Sequence, residues 1–103
     1  MFEILNGLKV AQKTAYEMYE FLAKSLPPNV KLGEFPNNVG SNFRLGFDNK
    51  NYELSITVPF DQTEIYETLL MQGDEPLYEN GYMDTKRFNT HQEVLEEIER
   101  LAN

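Results

Sequence analysis

The sequence predicts an α+β domain: an N-terminal helix, a four-stranded antiparallel meander and a C-terminal helix, with both helices on one face of the sheet. Three features carry that expectation. Apolar residues recur at helical spacing as far as Leu26. From Phe43 the period falls to two. A helix-start signal at Thr90 then precedes a second amphipathic stretch.

In the first helix, Ile4, Leu8, Ala11, Ala15, Met18, Leu22 and Leu26 make one apolar stripe. Lys13 with Glu17 and Glu20 with Lys24 are i, i+4 pairs on the wet side, each worth about 0.2–0.5 kcal/mol. Pro27 and Pro28 end the helix, because neither can donate an N–H. The stripe spans fewer than four heptads and contains alanines, which suits packing on the domain's own sheet better than a coiled-coil seam.

Residues 27–42 form a long connection rich in Pro, Asn and Gly, with residues 30–32 as a short extended piece. Such a loop is either a binding loop or one tacked onto the core, here by Val30, Leu32 and Phe35.

Phe43, Leu45 and Phe47 alternate with polar or small residues, and so do Tyr52, Leu54, Ile56 and Val58. These runs predict two strands of a hairpin, the second limited by Pro59. A third strand is expected over 64–71, followed by a turn at 72–76. A fourth is expected over 77–82, with a short continuation over 85–88. Thr90 and Glu93 form a capping box for the last helix. Val94, Leu95, Ile98, Leu101 and Ala102 give its apolar face, and Glu93, Glu96, Glu97 and Glu99 its wet one. Short turns between strands make the sheet antiparallel, and its second face is left to water or a partner.

At 103 residues the chain suits a single domain, 1–103. That size buries roughly 65% of the unfolded surface. An apolar share of 41% argues against disorder. The absence of cysteine excludes disulfides and thiolate chemistry and fits a reducing compartment. Charges interrupt the apolar residues at the start, so neither a leader segment nor a membrane span is expected, and the expected location is the cytoplasm.

Residues 1–50 hold six bases and five acids, whereas residues 51–103 hold three bases and twelve acids. The second half therefore repels nucleic acid and anionic membrane. Tyr-Glu occurs five times, at 16–17, 19–20, 52–53, 66–67 and 78–79. Strand parity turns Tyr52 inward and Glu53 outward, and both early pairs sit at the edge of the helical stripe. The 66–67 pair is not resolved by parity. Ile65 inward buries Glu67, whereas Tyr66 and Leu70 inward expose Ile65, Leu69 and Met71.

Signals for chemistry are weak. His91 is the one histidine, with no serine or cysteine in evident relation to it. The stretch from Asp48 fails the calcium-loop pattern, the Asp74-Glu75 turn offers at most a weak hold on a hard cation, and the glycines are scattered. No catalytic residue, cofactor or metal site is expected.

The function expected is a small acidic protein-binding module. Its partner presents a basic surface of the kind that handles nucleic acid, and the module acts as an inhibitor or immunity-type protein, such as phages and other mobile elements carry. Carboxylates set out like phosphates occupy such a groove and speed association. The candidate contact residues are Glu64, Tyr66, Glu67, Asp74, Glu75, Tyr78, Glu79, Tyr82 and Asp84. The alternative is a structural or self-associating domain, such as a homodimer pairing through 64–71. A small carboxylate-based enzyme ranks third.

Overall fold

Helices α1 (Phe2–Ser25) and α2 (His91–Ala102) pack on one face of an antiparallel sheet, and helices and strands share one apolar cluster. A computed structural model describes the backbone of residues 2–35, 40–79, 82–83 and 85–103, and the side chains of these apart from 2–5, 78–79 and 82–83.

Strands β1 (Val30–Leu32), β2 (Asn42–Phe47), β3 (Glu53–Thr57) and β4 (Tyr66–Gln72) are neighbours in that order. Beyond β4, the edge is filled in two pieces by β5 (Glu75–Pro76) and β8 (Thr85–Phe88). Strands β6 (Tyr78–Glu79) and β7 (Tyr82–Met83) pair with each other in a separate two-stranded sheet. The α+β class, the flanking helices and the antiparallel order match the expectation. The strand count does not, for two reasons. The short piece at 30–32 adds to the sheet as β1, through Val30 opposite Phe47 and Leu32 opposite Leu45. The expected fourth strand over 77–82 does not form as one piece.

The register explains that correction. Met71 faces Pro76, and the Leu77 N–H donates to the Leu70 carbonyl at 2.9 Å. Thr85 then faces Leu69. The chain thus leaves the edge after Leu77 and rejoins it at Thr85, one step along β4. Had it continued unbroken, Glu79 would lie opposite Thr68, on the covered face beneath α2. Instead Lys86 lies opposite Thr68, and Phe88 opposite Tyr66. Lys86 reaches Glu97 of α2 at 2.9 Å, and Phe88 packs against the core. A base and an aromatic ring occupy positions where a continuous strand would bury a carboxylate next to another carboxylate.

The parity of β4 is settled as well. Tyr66, Thr68 and Leu70 are buried on the helical face, and Glu67, Leu69 and Met71 point the other way. Met71 is nonetheless only 9% exposed. Arg44, on the same face of β2, crosses β3 to donate from Nη1 to the Gly73 carbonyl at 2.9 Å. Gly73 takes a φ of 65° in this β4–β5 turn, a conformation glycine adopts without strain.

Buried Ala11, Ala15, Met18 and Leu22 carry the α1 stripe. Leu8 is half-buried and outside the cluster, against expectation. The helix is 24 residues long, about 36 Å at 1.5 Å per residue. β4 has seven residues, about 23 Å at 3.3 Å each, so α1 outruns the sheet it covers. The 27–42 connection is tacked down. Val30 is buried, Leu32 and Phe35 pack against the core, and Tyr19 Oη donates to the Gly33 carbonyl at 2.8 Å. Residues 36–39 of that connection lie outside the described residues.

At α2, the Glu93 N–H donates to Thr90 Oγ1 at 3.1 Å, while Glu93 Oε1 accepts from the Thr90 hydroxyl and from the Asn89 N–H. The box closes one residue earlier than the standard form, in which the cap's own N–H is the donor.

Two outcomes follow for stability. Ile56 is fully buried at the centre of β3, and Ile56→Ala should cost about 2–5 kcal/mol in chemical denaturation. A loss under about 0.5 kcal/mol would mean that β3 presents its other face to the helices. Thr90→Ala should cost about 1 kcal/mol by freeing the Glu93 N–H, read as a lower melting temperature. An unchanged transition would place the helix start elsewhere.

Candidate partner-binding surface

The candidate residues whose side chains are described do not share one patch. Tyr66 is 6% exposed and points into the core, where its ring lies 5.7 Å from His91. Burial, and then the charge of Glu17, push its hydroxyl above the usual tyrosine value. It is a core residue with no surface to offer a partner. Glu67 is on the opposite face, where Arg87 across the strand pair donates from Nε at 3.2 Å. Glu64 is exposed just before β4, and Asp74 and Glu75 are exposed at the turn beyond its far end. The length of β4 separates these two groups, roughly 20 Å of extended chain. Tyr78, Glu79 and Tyr82 belong to β6 and β7, with side chains outside the described set; Asp84 lies outside the described residues altogether.

Ion pairs decide what the surface presents. The second half of the chain has three bases, Lys86, Arg87 and Arg100. Each is engaged by a carboxylate of the same half: Lys86 and Arg100 by Glu97, and Arg87 by Glu67. Arg44 from the first half meets Glu53 at 3.7 Å. Among the described residues of the second half, Asp61, Glu64, Asp74, Glu75, Glu93, Glu96 and Glu99 stay exposed and outside these pairs. They form three groups, in the β3–β4 loop, at the β4–β5 turn and along the outer side of α2. The bases of the second half are spent on ion pairs within the fold, and the surplus negative charge of that half faces solvent.

Glu97 was expected on the wet side of α2 and instead has 7% of its side chain exposed. The signal was present: residue 97 lies three after Val94 and four before Leu101, within the buried stripe. Its Oε2 takes Lys86 Nζ at 2.9 Å and its Oε1 takes Arg100 Nε at 2.5 Å. Burial alone would raise its pKa. The hydrogen bonds and charges of Arg100 and Lys86 outweigh burial and hold it below the ordinary value of 4.5. Beside it, a shallow depression of about 260 Å³ opens between Phe88 and α2, walled by Glu93, Glu96 and Arg100.

The other signals for chemistry resolve structurally. His91 stacks on Phe21 at 5.0 Å between ring centroids and meets Tyr66 on another side, so it fills the junction of α1, α2 and β4. Among the described residues, no group of three His, Asp or Glu is placed to hold a metal ion, and no helix is long and apolar enough to cross a membrane.

The Glu97 pairing sets a pH dependence. Its folded pKa lies below 4.5, so its contribution is fully present above that pH and is lost as pH falls through the folded value. The stability difference between the parent chain and Glu97→Gln should therefore be constant above about pH 5 and shrink on acidification. A difference independent of pH between 2 and 6, measured by urea unfolding, would contradict an ionised, paired Glu97. No protein-family model, no curated protein and no solved structure matches this chain.

Proposed function

We propose that the chain is a non-catalytic, acidic protein-binding module for a partner with a basic surface, and that the excursion between Leu77 and Thr85 is its contact element. One observation carries the reading. Leu77 and Thr85 face adjacent residues of β4, so the sheet's pairing does not need the residues between them. The packing of Lys86 and Phe88 accounts for the return at Thr85, but it does not require the seven residues in between, which are left for contact. The sequence places Tyr78, Glu79 and Tyr82 on that excursion, the residue types that combine apolar contact area with charge. The exposed Asp74 and Glu75 precede it at the same turn.

Charge supports the choice of partner. Seven described carboxylates of the second half face solvent outside ion pairs, while every base of that half is engaged. A surface of this kind draws in a basic partner and turns away nucleic acid. Where that partner uses its basic groove on nucleic acid, occupation of the groove inhibits it, as an immunity-type protein would. Glu67 and Tyr66 leave the contact set, the one neutralised by Arg87 and the other buried.

The test compares the parent chain with a variant lacking residues 78–84 as baits in extract of the source cell. The deletion should keep its circular dichroism spectrum and lose a basic protein that the parent retains at low salt. That protein should be released from the parent as salt rises, because steering is screened within about 8 Å at physiological ionic strength. Equal capture by both baits would overturn the contact assignment. If the deletion unfolds, the excursion is structural; Tyr78→Ser with Tyr82→Ser then reads the contact without shortening the chain.

A further inference from the structure

Val10 on α1 and Phe60 in the β3–β4 loop are large apolar residues left 47% and 48% exposed. The fold brings them to one place. Gly7, one turn before Val10, lies so close to Phe60 that a Cβ there would collide with the Phe60 carbonyl oxygen. The β3–β4 loop is therefore seated directly on α1, and residues 7 and 10 are neighbours on the helix surface. The loop is itself folded, by hydrogen bonds from Gln62 N–H to the Pro59 carbonyl and from Ile65 N–H to the Gln62 carbonyl.

Charge is distributed unequally about this apolar centre. On the helix side stand exposed Lys9 and Lys13, and on the loop side exposed Asp61 and Glu64. None of these four is in an ion pair among the described residues. We propose that this face binds a second copy of the chain about a two-fold axis. A two-fold rotation through the Val10–Phe60 centre carries the helix side of one copy onto the loop side of the other. Lys9 and Lys13 of each copy then meet Asp61 and Glu64 of its mate, and the two apolar centres cover each other. The patch is self-complementary. The surface is centred on Val10 and Phe60 and shares only Glu64 with the 64–71 stretch; it is distinct from the 78–84 excursion.

The experiment is sedimentation equilibrium of the full chain across a concentration series. A monomer–dimer equilibrium is expected. Phe60→Asp, at an exposed position, should weaken it about tenfold or more, and Val10→Asp should do the same if the Phe60 variant folds poorly. Reversing Lys9 and Lys13 to Glu should weaken the dimer. Adding Asp61→Lys and Glu64→Lys to that variant should restore it, which a merely structural role would not produce. A chain that stays monomeric at every concentration overturns the proposal. So does a dimer indifferent to Phe60→Asp, and so does one that the four-fold charge exchange fails to rescue.

Discussion

Glu97 lies on the covered side of α2, and a carboxylate there requires cations within reach. Arg100, one turn on, supplies one from the same helix. The second comes from across the interface, from Lys86. That requirement fixes the edge of the sheet. Lys86 must lie opposite Thr68, which it does only because the chain leaves the edge after Leu77 and returns at Thr85. The same return places Phe88 opposite Tyr66, beneath the start of α2. The capped first turn at Thr90 follows at once, so helix entry, edge register and the ion pair are one arrangement.

The same economy of cations shapes the surface. A chain with twelve acids in its second half has three bases there, and all three are engaged: Lys86 and Arg87 join elements, and Arg100 supports Glu97 within α2. Arg44 joins β2 to the β4–β5 turn across the open face. The exposed carboxylates are left without local compensation. Repulsion among them costs stability, and a basic partner relieves that cost. The proposed function thus grows out of the way the ion pairs are allotted.

Local signals were legible in the sequence and long-range ones were not. The α1 stripe from Ala11 to Leu22, the proline stop, the alternation of β2 and β3 and the Thr90–Glu93 box each depend on residues within a turn or two of one another, and each lies where the sequence predicts it. The two-sided apolar pattern of β4 had no local solution. Tyr66 turned inward because a ring can fill the space beside Phe21 and His91, while Glu67 outward finds Arg87. Arg87 lies 20 residues away, and nothing in a strand's alternation points to it. Alternation over 77–82 likewise cannot tell a strand paired with β4 from one paired with its neighbour. The candidate contact residues suffered for the same reason, since adjacency in sequence put Tyr66 and Glu67 together and the pleat put them on opposite faces.

The shift of the edge strand is the central claim, and cross-strand proton contacts in the NMR spectrum read it directly. The structure requires contacts linking Thr68 to Lys86 and Tyr66 to Phe88, with Leu77 beside Leu70. Contacts linking Thr68 to Glu79 instead would show an unbroken edge strand. They would remove Lys86 from Glu97, and with it the excursion on which the proposed function rests.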